Sequence, residues 1–195
     1  MIRSVIRKIR KYLGILPSMQ DRIRELRLLG MVIGEDCHLA SDVEVEEPWA
    51  SHITFGNEVT VARGVRFISH DASMWRSVGA TRVGVIEVGS RSFIGAFSIV
   101  MPNVRIGEGT IIAAGSVVTR DIPAGVVAVG NPARVIKRTS ALQGKTKAKL
   151  THTPCFGEEY RMKCGGTVAM RKSMLKAAPN GESYIVRSDT NSSGK

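Results

Sequence analysis

Hydrophobic positions in the middle of the chain recur every six residues. Between positions 31 and 122, twelve apolar residues conform to this period: Ile33, Leu39, Val45, Phe55, Val61, Phe67, Val88, Ile94, Val100, Ile106, Ile112 and Val118. A period of six fits neither an amphipathic helix nor a simple alternating strand, but it does fit a short strand followed by a fixed corner. Three such repeats close a triangular turn of about eighteen residues, so the pattern predicts about five stacked turns of a parallel β-helix.

Small residues accompany this period and allow the tight corners that it requires. Gly or Ala usually follows the repeating apolar residue, as in Gly34, Ala40 and Gly56. A small or β-branched residue usually stands four positions after it, as in Val43 and Ser92. A β-sandwich is the alternative architecture, but it requires hairpin signals such as Asn-Gly, which residues 31–122 lack. The pattern therefore favours an all-β coil.

Two interruptions of the period predict loops that leave the coil. The chain has four residues more than the period allows between Val45 and Phe55, and fifteen more between Phe67 and Val88. A rigid coil cannot absorb these residues and must expel them. The longer loop, residues 69–87, carries five side chains suited to chemistry or binding: His70, Asp71, Trp75, Arg76 and Arg82. We expect function to lie in this loop.

The N-terminal residues predict two short helices ahead of the coil. Residues 1–16 alternate apolar and basic side chains at helical spacing, and Pro17 ends this pattern. Ser18 and Asp21 have the spacing of a capping box, and the apolar stripe of Ile23, Leu26, Leu28 and Leu29 that follows ends at Gly30. The stripes can pack on the main domain or on a neighbouring subunit. The alternative for residues 1–16 is peripheral contact with an anionic membrane.

Composition and charge place one folded core between two basic ends. The chain has 195 residues, 43% of them hydrophobic, and a formal net charge of +11. Residues 1–30 and 138–195 contain eight and eleven Lys or Arg against two and four Asp or Glu, whereas residues 31–137 contain nine against eleven. We therefore expect an N-terminal helical segment (1–30), a coil domain (31–137) and a basic, loosely ordered tail (138–195). Because the coil itself is slightly acidic, nucleic acid is not an expected partner.

The lengths of the apolar runs predict a location for the protein, and the spacing of its cysteines and histidines excludes the common metal motifs. No apolar run approaches the roughly 20 residues of a membrane span, and charges stand where a secretory signal would be apolar. The expected location is the cytoplasm, at the inner face of the membrane if residues 1–16 bind lipid. Three cysteines without a CxxC pair predict reduced thiols, and four histidines without HxxxH or HExxH spacing predict no metal site.

Residues 31–137 resemble the hexapeptide-repeat acyltransferases, and among them most closely the short acetyltransferases of polysaccharides and sugars. The resemblance is carried by SHDAS at 69–73, VGSRSFIGAFSIVMPNVRIGEGTIIAAGSVV at 88–118 and GNPARVIK at 130–137. It implies a left-handed coil, a homotrimer with active sites between adjacent subunits, and acetyl-CoA as the acyl donor.

The resemblance further implies roles for individual residues. His70 matches the general base of the family, a role that suits imidazole near neutral pH, and Asp71 is expected to orient it or to contact substrate. Trp75 and Arg82 are candidate acceptor contacts, because an indole can stack on a sugar ring. The expected donor site consists of a small-residue groove and two cations for the CoA phosphates: Gly95, Ala96, Ser98, Ala113, Ala114, Ser116, Arg134 and Lys137.

Several functions share this coil, and the residues leave some of them open. The first is acetylation of a hydroxyl, or an amine, of a sugar or glycan intermediate. Acetylation of an antibiotic or another small molecule would use the same base and groove. A non-catalytic trimerisation scaffold would need neither. The trimeric β-helix carbonic anhydrases need three metal-binding histidines, and the dispersed His38, His52 and His70 do not favour them.

Overall fold

The computed structural model describes residues 18–157, 167–178 and 181–186. The helix predicted for residues 1–16 and parts of the C-terminal tail lie outside these ranges. The chain divides into two compact units, with the boundary between Ser140 and Ala141. Within the described ranges, no helix combines the length and the apolar character that a membrane crossing requires.

Short strands of the first unit form three sheets, which are the three faces of a coil. The first face contains β1 (Val32–Ile33), β4 (Ile53–Phe55), β9 (Ile86–Val88) and β12 (Val104–Ile106). The second face contains β2 (His38–Leu39), β5 (Thr60–Val61), β10 (Phe93–Ile94), β13 (Ile111–Ile112), β15 (Val126–Val129) and β16 (Arg134–Arg138). The third face contains β3 (Glu44–Val45), β6 (Arg66–Phe67), β11 (Ile99–Val100) and β14 (Val117–Val118).

The strand register confirms the six-residue period. On the first face, Ile33 pairs with Phe55, Phe55 with Val88, and Val88 with Ile106. The other two faces stack their repeating residues in the same way. Eleven of the twelve repeating residues are buried and Val45 is partly buried, and together they form one continuous core. The coil has four complete turns and a partial fifth, which begins at Ile122.

Polar side chains inside the coil connect successive turns. Ser92, Ser98 and Thr110 are almost completely buried, and their hydroxyls donate to backbone carbonyls of the next turn. A buried hydroxyl is costly unless it is bonded, so these bonds explain why polar residues are tolerated in the core. Gly107 allows the turns to approach, because a Cβ there would lie 2.3 Å from the amide nitrogen of Ala124.

Both ends of the coil are covered. Helix α1 (Met19–Leu28) begins at the predicted cap, where the Ser18 hydroxyl accepts from the Asp21 amide at 3.1 Å, and it buries Leu26 completely against the first turn. Gly30, with φ of +94°, turns the chain from the helix into β1. At the other end β16 pairs antiparallel with β15, whereas the other strands of the coil pair parallel. The change of direction ends the repeat.

The two predicted loops leave the coil at the same corner, between the third and first faces, which we call the loop corner. The first loop forms a 3-10 helix, Glu47–His52, between β3 and β4. The second lies between β6 and β9 and forms an antiparallel pair, β7 (His70–Asp71) with β8 (Arg82–Val83), around the short helix α2 (Trp75–Val78).

The C-terminal unit contains more regular structure than the sequence pattern indicates. Helix α3 (Thr139–Leu150) starts at the end of the coil, and the unit also contains α4 (Val168–Ala177). Two short strands pair in parallel, β17 (Cys155–Phe156) and β18 (Tyr184–Ile185). The Lys149 ammonium binds both carboxylate oxygens of Glu182, at 3.0 and 2.9 Å.

Candidate active site

His70 and Glu46 meet where the two expelled segments meet. Nδ1 of His70 lies 2.8 Å from Oε1 of Glu46, and both side chains are partly exposed. Glu46 follows β3 directly, and His70 is the second residue of the longer loop, three positions after the end of β6. Because β3 and β6 are paired neighbours on the third face, the ends of these strands bring the two segments together.

The Glu46 carboxylate fixes both the ring and the backbone of His70. Its second oxygen accepts the amide N–H groups of Ser69 and His70, each at 3.0 Å. An ionised carboxylate can only accept, so Nδ1 must donate to it, and in neutral imidazole the other nitrogen is then unprotonated. Among the described residues, Nε2 of His70 has no hydrogen-bond partner. The ring is therefore arranged to accept a proton from a substrate.

An aromatic ring lies against the same imidazole. The indole of Trp49 is nearly parallel to the His70 ring, with an interplanar angle of 20° and 6.0 Å between centroids. The backbone carbonyl of Trp49 accepts the hydroxyl of Ser69 at 3.4 Å. His52 touches the indole edge-on, with 5.6 Å between centroids. His70 is thus held in its plane by Glu46 and on one ring face by Trp49.

Asp71 does not hold the imidazole, contrary to one of its two predicted roles. Its carboxylate accepts the Ser73 amide at 2.9 Å and lies 3.7 Å from Nη2 of Arg82. The hydrogen bonds from Ser73 are the main reason that the pKa of Asp71 lies below its usual value, with a smaller contribution from Arg82. Asp71 organises the loop, and the carboxylate that orients the His70 imidazole belongs to Glu46.

The predicted donor residues of the coil lie together, but at a different corner from His70. Residues 95–98 connect the second face to the third in one turn, and residues 113–116 make the same connection in the next turn. We call this the groove corner. Ala114 is exposed there, and Ala96 and Ala113 are partly exposed. Within a single chain the width of the third face separates this corner from His70.

Three predicted donor residues serve the coil. Ser98 and Ser116 are fully buried, and both hydroxyls donate to the Ala113 carbonyl, at 3.0 and 2.7 Å. Gly95 is also buried, and a Cβ there would lie 2.4 Å from the Ala114 nitrogen. The predicted serine hydroxyls therefore do not face a ligand, and the groove corner offers backbone groups, alanine methyls and the exposed ring of Phe97.

The other predicted contacts are largely exposed. Trp75 is 61% exposed on α2, and Arg82 stands beside Asp71 on β8. Arg134 and Lys137 lie on β16, where Arg134 is exposed and Lys137 is half-buried. Within the described ranges, no group of three or more His, Cys, Asp or Glu side chains is arranged for a metal ion.

Glu46 and Trp49 were not predicted, although the sequence contained a signal for them. Both interruptions of the period follow the third repeat of a turn, after Val45 and after Phe67. Insertions at the same position in successive turns must leave from the same corner. A search for polar residues in the first insertion would have found Glu46 as a partner for the loop histidine.

Comparison with known proteins identifies the family. The description "Bacterial transferase hexapeptide (six repeats)" matches residues 86–120. Protein CapG of Staphylococcus aureus is 36% identical over 141 residues, which cover 69% of this chain and 79% of that protein. A 2,3,4,5-tetrahydropyridine-2,6-dicarboxylate N-acetyltransferase of S. aureus is 46% identical over 77 residues, 35% of this chain and 32% of that protein. The chain thus matches about a third of the length of that enzyme.

Among solved structures, a maltose O-acetyltransferase from Clostridium difficile 630 superimposes with a TM-score of 0.50 and 27% identity, over 62% of this chain and 76% of that one. The extent of the match to CapG, the repeat match and the shared coil agree with one another. The chain belongs to the bacterial hexapeptide-repeat transferases, and its coil is the left-handed parallel β-helix of that family.

Proposed function

We propose that this protein is an acetyltransferase that moves an acetyl group from acetyl-CoA to a hydroxyl, or an amine, of a sugar or glycan intermediate. The observation that carries the proposal is the His70–Glu46 pair, in which Nδ1 is bound at 2.8 Å and Nε2 is left without a partner among the described residues. Unlike other histidines of the coil, His70 is bound by one carboxylate through both its ring and its backbone amide, which fixes the ring and leaves Nε2 accessible on an expelled loop. A general base requires that arrangement.

The chemistry follows from this geometry. The proton of the acceptor hydroxyl passes to Nε2 of His70 while the acceptor oxygen attacks the carbonyl carbon of the thioester. The C–S bond then breaks, and the departing sulfur takes the proton back from the imidazolium, which leaves the acetyl ester and the CoA thiol. Glu46 stabilises the imidazolium that exists between the two proton transfers. No covalent enzyme intermediate is needed.

A second copy of the chain is part of the proposal. The groove corner and the loop corner are separated by the third face in one subunit, so the acyl donor and His70 come together when the groove corner of one subunit faces the loop corner of another. The family resemblance implies a homotrimer of this kind. In it the donor would run along Ala96, Ala113 and Ala114, and Arg134 and Lys137 would bind the CoA phosphates.

Similarity to named enzymes supports the acetyl group and an acceptor with a hydroxyl or an amine. The maltose O-acetyltransferase has a sugar as its named substrate, and the S. aureus N-acetyltransferase acts, by its name, on nitrogen. Trp75, exposed on the loop that contains His70, is available to stack on a sugar ring. We therefore place sugars and glycan intermediates first and other small molecules second.

The test is acetyl transfer by the full chain, followed by mass spectrometry of the acceptor. Wild-type protein is incubated with acetyl-CoA and a panel of nucleotide sugars, oligosaccharides and amino sugars, beside His70→Ala. His38→Ala is the matched control, because His38 is an exposed histidine on the second face whose ring, among the described residues, bonds only to the Asp36 carbonyl. We expect activity in wild type and in the control, and a loss of about a hundredfold or more in His70→Ala.

Two outcomes contradict the proposal in different ways. Acetylation that survives His70→Ala excludes the assigned base. Absence of both turnover and CoA binding by calorimetry, in a protein that is trimeric by sedimentation, favours the non-catalytic scaffold instead.

A further inference from the structure

We propose that Trp49 is a positioning residue for the reaction, which holds the His70 ring and stabilises the positive charge that forms on it. The inference rests on the proposed function, because it concerns the same histidine. The indole lies nearly parallel to the imidazole, at 20° and 6.0 Å between centroids. This separation is at the outer limit at which an aromatic face attracts a cation.

The backbone places Trp49 and Glu46 as one unit. The amide of Trp49 donates to the Glu46 carbonyl at 2.9 Å, within the turn that starts the 3-10 helix. Pro48 restricts the backbone at the start of this helix, and Ala50, which follows Trp49 in the chain, is completely buried. The short insertion therefore delivers a carboxylate and an aromatic ring to the same histidine from a fixed backbone.

The two contacts act in different directions. Glu46 binds Nδ1 in the plane of the imidazole and fixes where the ring edge points. A ring held only at one edge can still tilt, and the parallel indole opposes tilting because it covers one ring face. Nε2 is thereby kept on the line along which an acceptor proton would arrive. Orientation of this kind contributes to rate only if the base itself takes part in the reaction.

Charge adds a second contribution. The imidazole is neutral before it takes the proton and positive afterwards, so an aromatic face attracts it more strongly after the transfer. A contact that is stronger in the charged state lowers the barrier, whereas a contact of equal strength in both states does not. Packing alone does not require an indole here, because Trp49 is only partly buried and an aliphatic side chain can fill the space beside Ala50.

Variants at Trp49 separate these contributions from simple packing. Trp49→Phe keeps an aromatic face, and Trp49→Leu keeps apolar bulk without one. His52→Ala is the matched control, because His52 touches the edge of the same indole and, in the described part of the chain, its ring contacts Trp49 and Ser51 and not His70. The kcat and the KM for acetyl-CoA are measured for each, and the ring-proton shifts of His70 are recorded by NMR in the free protein.

We expect kcat of Trp49→Leu to fall about tenfold with the KM for acetyl-CoA within about twofold of wild type, since the contact acts on the charged state. Trp49→Phe should recover most of the rate, and His52→Ala should match wild type. The His70 ring protons should lose their upfield ring-current shift in Trp49→Leu, while signals of the coil core stay in place.

The inference is overturned if Trp49→Leu retains the wild-type kcat, or if the Phe and Leu variants lose activity equally with a raised KM. An inactive wild-type protein would count against the proposed function instead. In that case the NMR comparison still tests the contact between Trp49 and His70. Unchanged chemical shifts of the His70 ring protons in Trp49→Leu would overturn the inference.

Discussion

Nδ1 of His70 lies 2.8 Å from a carboxylate oxygen of Glu46, although the two residues are 24 positions apart in the chain. The coil explains the contact, because Glu46 and His70 leave adjacent, paired strands at the same corner. The Glu46 carboxylate binds both the ring nitrogen Nδ1 and the backbone amide of His70. The most informative variants for function are therefore in the short first insertion as well as in the long loop.

Replacing Glu46 by Gln should lower kcat by about 10²–10³-fold. The amide has one acceptor oxygen for the three N–H donors that the carboxylate now binds, and it lacks the charge that stabilises an imidazolium. The measurement is kcat at saturating acetyl-CoA. Glu44→Gln is the control, because Glu44 is an exposed acid on β3 paired with Arg66 at the surface. Equal rates for the two variants would exclude the orienting role.

Acidification should loosen the 69–87 loop through Asp71. The pKa of Asp71 is lowered in the folded protein, chiefly by hydrogen bonds from Ser73, so its stabilising effect is present above the unfolded pKa. It is lost as the pH falls through the lowered pKa of the folded state. Hydrogen exchange at the Ser73 amide measures this. In Asp71→Asn the Ser73 amide should exchange faster than in wild type at neutral pH, and its protection should no longer fall when the pH is lowered. Protection equal to that of wild type at both neutral and acidic pH would contradict the assignment.

Gly107→Ala should destabilise the coil more than its small size suggests. The added Cβ would lie 2.3 Å from the Ala124 nitrogen, so the backbone of the next turn must move. We expect a loss of about 1–3 kcal/mol or more in the free energy of unfolding, as for other overpacked sites. Thermal or urea denaturation checks it. Gly144→Ala in α3 is the matched control: apart from the adjacent residues and the helix's own backbone, no atom of the described residues lies within 4 Å of that Cβ, and a helical alanine should leave stability unchanged or slightly raised.

The membrane interpretation of residues 1–16 rests on the sequence pattern, because these residues lie outside the described ranges. If the basic amphipathic segment binds lipid, the full chain should float with vesicles containing anionic lipid and remain below vesicles of neutral lipid. Deletion of residues 1–16 should abolish flotation without loss of acetyl transfer. Equal flotation of the full and shortened chains would remove this interpretation and leave packing on the protein as the role of the segment.

The architecture could be predicted from the sequence because its determinants are local and repeated. Each inward side chain and each small corner residue recurs six positions later, so twelve observations such as Ile94 and Val100 supported one period. Burial of an apolar residue at every repeat leaves the chain few other ways to fold. The interruptions of the period, and with them the two expelled segments, could be located for the same reason. The cap at Ser18 was predicted from neighbouring residues alone.

The tertiary structure decided the contacts between segments that are distant in sequence. Nothing local to His70 indicates whether Asp71 or Glu46 binds it; Asp71, the neighbour in the chain, is turned toward Ser73 and Arg82, and Glu46, one turn away, holds the ring. Likewise, Ser98 and Ser116 are suitable ligand contacts by residue type, but their hydroxyls point into the coil because a buried carbonyl needs donors there. A period specifies the path of the backbone. The interruptions of the period locate the corner at which the expelled residues leave. Which side chains meet there depends on how those residues fold, and the repeat does not specify that fold.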